Sequence, residues 1–224
     1  MFSQILKNIH PHPLMGEALD IHNTTLLDFT EGNMELSQVD LKNHQIFQNF
    51  VDQQMKGKKF GIGGYMENRQ IYRRSEVFAS GETYRNIHLG IDIWGPAGSP
   101  VYAPLGGTIH SFKDNAGFGN YGPTIILEHN LQGQIFYSLY GHLCLSDLCD
   151  LYEGREFAKG ELLCHLGAHE ENGHWPPHLH FQLMADMKDL KGDFPGVSSS
   201  IDAAYYKTIC PDPNLLIRFS GLTY

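Results

Sequence analysis

The stretch His88-Leu89-Gly90-Ile91-Asp92-Ile93-Trp94 sets an imidazole and a carboxylate four residues apart in a short, β-branched apolar run. Along a strand, residues i, i+2 and i+4 share one face, so the spacing predicts His88 and Asp92 side by side. Gly90 between them predicts room for an ion, and Ile91 and Ile93 favour strand over helix. Two further pieces extend the donor set. Tyr140-Gly141-His142-Leu143 closes an alternating run that begins at Tyr137, which predicts a strand carrying His142 at its tip. His178-Leu179-His180 sets two imidazoles on one strand face, about 7 Å apart by strand rise. Both can reach one site, one binding a metal while the other handles protons. Catalytic zinc uses three protein ligands and keeps a fourth position for a water whose pKa falls to about 7.

Outward from these pieces, short apolar stretches alternate with glycine and proline turns: 70–78, 88–94, 101–102, 107–112, 124–129, 135–142, 161–166 and 178–184. Strands at that spacing predict a mainly β fold, an antiparallel open sheet or sandwich. Upstream the period changes. Val39, Ile46, Phe47, Phe50, Val51 and Met55 approximate one helical face, Ser37 with Asp40 resembles a capping box, and Gly57 supplies a stop. The expected organisation is an N-terminal extension over 1–84 whose helix (about 36–56) packs on the core. A core over 85–185 follows, then a loop-rich C-terminal extension over 186–224 with a short helix near 200–207. The glycine-bearing loops 112–124 and 168–177 are expected to wall a cleft.

With 42% hydrophobic residues in 224, the chain can build a core without disulfide staples. Lys+Arg 16 against Asp+Glu 25 gives a net charge of -9, which argues against nucleic acid or an anionic membrane as the main partner. Cys144, Cys149, Cys164 and Cys210 form no C-x-x-C pair, so a zinc ribbon is not expected. The N-terminus breaks at Pro11 and Pro13 with no apolar signal-peptide region, and no bilayer-length apolar run follows. The expectation is a cytoplasmic protein with reduced thiols, or a secreted one had a leader been trimmed. Of the 13 histidines, His10, His12, His22, His44, His110 and His165 read as surface or hydrogen-bonded residues. His129 reads as a buttress of the sheet, and His169 and His174 as candidates to line the cleft.

The three motifs and their frame resemble the M23 family of zinc metallopeptidases, the lysostaphin/LytM type. The frame runs through Ile87-His88-Leu89-Gly90-Ile91-Asp92-Ile93, Pro100-Val101-Tyr102-Ala103-Pro104, Gly107-Thr108-Ile109, Ile125-Ile126-Leu127-Glu128-His129 and Pro177-His178-Leu179-His180-Phe181. The resemblance covers about 85–184 and implies an open sheet of the duplicated hybrid motif-like type. It implies Zn2+ as cofactor, with His88, Asp92 and His180 as metal ligands and His142 and His178 as catalytic acid/base and oxyanion groups. The reaction it implies is hydrolysis of an amide or peptide bond, the substrate being a peptide such as a peptidoglycan cross-bridge or fragment. The strings 63–72 and 210–217 are similar to M23-like modules fused to phosphotransferase-like and class III aminotransferase-like domains. They favour one alternative, an intracellular small-molecule amide hydrolase in a metabolic pathway; the family's degenerate members supply a second, a non-catalytic binding or regulatory protein.

Overall fold

A computed structural model describes residues 2–79 and 84–222. In chain order, α1 (Phe2–Lys7), β1 (Thr24–Leu26), α2 (His44–Met55) and β2 (Phe60–Gly63) come first. Then follow β3 (Arg85–His88), β4 (Ile91–Trp94), β5 (Pro100–Tyr102), β6 (Gly107–Asn115), β7 (Gly122–Leu131) and β8 (Gln134–Gly141). The last are β9 (Glu156–Phe157), β10 (Leu162–His165), β11 (His178–Met184), β12 (Val197–Ser199), α3 (Ala203–Ile209) and α4 (Asn214–Ile217). The protein is mainly β, built on an eight-stranded sheet of order β1-β2-β4-β11-β8-β7-β6-β9. Every pairing in it is antiparallel except β1 with β2.

Alternation along β11 divides apolar core from polar site. Leu179, Phe181 and Leu183 join Ile91 and Ile93 of β4 in a core completed by Val101, Cys164, Leu216 and Phe219. Fully burying each such side chain contributes roughly 1.5–3 kcal/mol. The intervening residues, His178, His180 and Gln182, are buried polar groups of the opposite register. Leu6 of α1 enters the same core, and its carbonyl accepts a hydrogen bond from Arg218 Nη2 (2.7 Å), which ties the two ends of the chain together. No helix of the described residues is long and apolar enough to cross a membrane. All four cysteines are free thiols.

Four expected elements form differently. The helix expected over about 36–56 begins at His44, because the Asn43 side chain accepts from the Ile46 amide (3.1 Å) and satisfies the first turn. Ser37 donates to the Met34 carbonyl instead of capping, within a single 3-10 turn at Leu36–Gln38. The helix ends through left-handed Lys56 and Gly57, and it buries Phe47, Phe50 and Val51 against Phe29, Trp94 and Trp175.

The strand expected over 70–78 is two 3-10 turns, Gln70–Arg74 and Glu76–Phe78. Ser75 accepts from the Val77 amide (3.3 Å), a local bond that competes with a ladder. The run 88–94 is not one strand. It breaks at Leu89–Gly90, so that β3 pairs with β12 while β4 pairs with β2 and β11. The short helix expected near 200–207 forms three residues later, as α3.

Candidate metal centre and active site

Register across the sheet assembles the site. Gly63, Asp92, His180 and Gly141 stand in one row across β2, β4, β11 and β8. His178 lies two residues before His180 on the same face, and His142 follows Gly141 at the end of β8. His88 arrives separately, on the last residue of β3. The reason expected for the His88–Asp92 pairing, a shared strand face, is therefore wrong, although the two groups do meet. Their proximity comes from the bend between β3 and β4, where the Leu89 amide donates to the Gly196 carbonyl (2.8 Å). Gly90 leaves room for a neighbour rather than for an ion. A Cβ there would stand 2.6 Å from His180 Cε1 and 2.8 Å from the Phe181 carbonyl oxygen.

Hydrogen-bond partners set the tautomers. A carbonyl only accepts, so the contact of His88 Nδ1 with the Gly64 carbonyl (2.9 Å) puts the proton on Nδ1 and leaves Nε2 as a lone pair. Gln182 donates its amide nitrogen to the Pro195 carbonyl (3.1 Å), which turns its Oε1 toward His180 Nε2 (3.0 Å). His180 then carries its proton on Nε2 and presents Nδ1 as a lone pair. The three facing atoms are His88 Nε2, His180 Nδ1 and Asp92 Oδ1, at mutual distances of 3.0, 3.1 and 3.3 Å. With these tautomers, three acceptors converge with no proton among them, an arrangement that a cation satisfies. Ligand atoms of a tetrahedral zinc site, with Zn–N near 2.0–2.1 Å, stand roughly 3.3 Å apart, so the donor set fits. Each imidazole also donates its other nitrogen to an oxygen, the usual support for a metal-bound histidine. The three side chains are buried and form a group able to hold a metal ion.

The remaining two imidazoles flank this group. His178 Nδ1 donates to the Pro176 carbonyl (2.8 Å) and its ring stacks on Trp94, with centroids 4.0 Å apart. His142 Nδ1 donates to the Asn172 carbonyl (2.8 Å). Among the described residues neither Nε2 makes a hydrogen bond, although that of His178 lies 3.9 Å from Asp92 Oδ2, and the ring centroids are 4.2 Å apart. His142 is held at a φ of 65°, a left-handed backbone uncommon outside glycine. Its amide donates to the Tyr121 carbonyl and its own carbonyl accepts from the Gly167 amide, both at 2.9 Å, and these bonds sustain the conformation.

Burial sets the electrostatics. It pushes the pKa of His178 down to about 4 and of His88 down to about 3, the latter with help from the Arg69 charge. His142 is held well below its ordinary value by burial and by His178. All three are neutral at pH 7. Burial alone would raise the Asp92 carboxyl, but the charge of His88 when protonated and the permanent charge of Arg69 outweigh it and hold the group well below the usual range. A pH dependence follows. Below the ordinary value of 6.5 the unfolded chain takes up protons that these buried rings refuse, so stability falls as pH drops. In chelator, melting temperature is expected to fall from pH 6.5 toward pH 4, each ring contributing a slope of roughly 1.4 kcal/mol per pH unit. His129, lowered to about 4 by burial, adds to the same window. A melting temperature flat across that range would contradict the burial of these rings.

The five side chains singled out in the sequence therefore meet, and all but His88 line a cleft of about 360 Å³. Gly119, Asn120, Tyr121 and Trp175 wall it, from the two loops expected to do so. His129 buttresses the sheet as expected, bonding the Gly106 carbonyl (2.9 Å) and Ser138 Oγ (2.7 Å). His169 and His174 do not line the cleft. His169 stacks on His44 of α2 with centroids 3.4 Å apart, and His174 lies 5.0 Å from His169.

Other site residues escaped the sequence reading. Arg69 is fully buried and bonded through Nη1 to Asp92 Oδ2. Tyr121 brings its hydroxyl to 3.4 Å from His180 Nε2. Gln182 and Asn172 orient His180 and His142. For Gln182, the alternation His178-x-His180-x-Gln182 was the available signal. For Arg69 there was none, because it stands in the polar stretch Glu67-Asn68-Arg69-Gln70.

Comparison with known proteins agrees with this geometry. Residues 86–191 match peptidase family M23. The chain is 31% identical over 105 residues to the lipoprotein NlpD/LppB homolog of Pseudomonas aeruginosa, covering 47% of this chain and 32% of that protein. It thus spans about a third of the length of that relative. Among solved structures, a zinc containing peptidase from Vibrio cholerae aligns at 26% identity and a TM-score of 0.35, over 44% of this chain and 27% of that one. The catalytic domain of the antimicrobial peptidase lysostaphin from Staphylococcus simulans aligns at 23% identity and a TM-score of 0.35, over 55% and 80%. The motifs and the sequence match thus point alike to peptidase family M23 over residues 86–191.

Proposed function

We propose that the protein is a zinc-dependent hydrolase that cleaves an amide or peptide bond. The observation that carries this is the convergence of His88 Nε2, Asp92 Oδ1 and His180 Nδ1, with the free Nε2 atoms of His142 and His178 beside them on an open cleft. His88, Asp92 and His180 would hold the zinc. When bound, the ion would supply Lewis acidity, polarising a carbonyl and lowering the pKa of a water. The chain's own residues do the proton work. One of His142 and His178, neutral at pH 7, accepts the proton of the attacking water. The imidazolium so formed steadies the tetrahedral oxyanion and returns the proton to the leaving amine. Support by the Asn172 and Pro176 carbonyls keeps both Nε2 atoms aimed inward.

The substrate class that fits is a peptide, and a peptidoglycan cross-bridge or fragment is the first to assay. Purified zinc-loaded protein would be incubated with peptidoglycan fragments and, separately, with cytosolic extract, reading released amines by mass spectrometry. Zinc-dependent release supports the reading, and the active fraction tells wall peptide from small-molecule amide. Stoichiometric zinc without turnover would indicate the non-catalytic alternative, and a protein that binds no zinc would overturn the assignment.

A further inference from the structure

Asp92 has two carboxylate oxygens, and they point to different partners. Oδ1 faces His180 Nδ1 and His88 Nε2 at 3.1 and 3.3 Å, while Oδ2 receives Arg69 Nη1. Arg69 lies outside the segment that matches the family and is completely buried. Its guanidinium is anchored through Nε and Nη1, while Nη2 is buried without a hydrogen-bond partner among the described residues. Nε donates to Glu67 Oε2 (2.7 Å), Nη1 also reaches the Tyr72 hydroxyl (3.5 Å), and the group lies 5.7 Å from the Phe29 ring centroid. The Arg69 amide donates to the Asn86 carbonyl at 2.8 Å, two residues before His88. Gly63, the neighbour of Asp92 in the sheet row, provides the space, since a Cβ there would stand 2.9 Å from Arg69 Nη2.

We propose that Arg69 is a positioning residue for the metal centre: by occupying Oδ2 it restricts Asp92 to ligation through Oδ1 alone and fixes that oxygen against the two imidazoles. This rests on the zinc reading given above. A carboxylate freed from such a bond can swing and offer both oxygens to one ion, which raises the coordination number and fills the position a reactant needs. The planar two-sided fork of arginine suits the task, because it bonds Glu67 and Asp92 at once. A lysine ammonium is a point charge on a flexible stem and does not reproduce that geometry.

The test measures metal rather than turnover. Zinc affinity would be determined by chelator competition for the wild type, Arg69→Lys and Gly63→Ala, with melting temperatures to establish folding. Visible d–d spectra of the Co2+-substituted proteins report coordination number, since band intensity falls as that number rises. Arg69→Lys is expected to weaken zinc binding 10–100-fold, the usual loss for an outer-shell partner, and to dim the Co2+ bands. Gly63→Ala, which displaces the guanidinium without touching a proposed ligand, should move both readouts in the same direction by less. It decides the matter if Arg69→Lys does not fold. Wild-type zinc binding with both readouts unchanged in a folded variant would overturn the role of Arg69 alone. A wild type that binds no zinc would instead overturn the reading of the whole site.

Discussion

Asp92→Ala is expected to leave the protein without stoichiometric zinc and to lower its stability by about 3–5 kcal/mol, the cost of breaking a buried ion pair. Two separate losses combine. The proposed metal ligand set falls from three donors to two imidazoles, fewer than the three protein ligands usual for a catalytic zinc site. The Arg69 guanidinium, fully buried, also loses the carboxylate that balances it. Glu67 still contacts Arg69 Nε, which places the stability loss toward the lower end of that range. Asp92→Asn separates the two effects, because it keeps the volume and one oxygen while removing the charge. Metal content by mass spectrometry and urea denaturation in chelator are the measurements. Retention of one zinc per chain by Asp92→Ala would remove Asp92 from the ligand set.

His142→Ala and His178→Ala should show the opposite pattern, with zinc retained and turnover lost. Neither ring contributes an atom to the converging trio, so metal content should stay at the wild-type level. If these rings carry the proton transfers, each substitution should lower kcat by roughly two to four orders of magnitude. The two centroids lie 4.2 Å apart and the rings face one reaction centre, so the double variant should lose much less than the product of the single losses. Steady-state kinetics on the substrate found by amine release would measure this. A variant that kept wild-type kcat would exclude its histidine from the chemistry. One that lost zinc along with activity would move it into the metal site.

The share of the site legible in the sequence follows from how local each signal was. His178 and His180 sit on one strand, where a period of two gives the shared face directly, and the structure agrees. His88 and Asp92 were paired on the same logic, and the groups meet although the logic fails, because the chain leaves one sheet and enters another between them. The helix was legible as an apolar period, but its start was misplaced. Asn43 caps more effectively than the Ser37–Asp40 pair, which satisfies other backbone groups. The run 70–78 resembled a strand by composition alone. Buried Arg69 and Arg74 and the Ser75 cap turn it into two 3-10 turns beside the cleft.

What the chain determines by itself is the kind of chemistry it holds and the layering of its central strand. Donor residue types at strand spacing mark an imidazole–carboxylate site, and Leu179, Phe181 and Leu183 alternating with polar partners mark which face is core. Only the tertiary structure decides which nitrogen of each histidine carries the proton, which oxygen of Asp92 is free, and that Arg69 exists in the site at all. Those outcomes depend on carbonyls and side chains brought in from Gly64, Asn172, Pro176 and Pro195, tens of residues away in most cases. A hydrogen bond is short-ranged and directional, so sequence spacing carries no information about it until the fold has placed both partners.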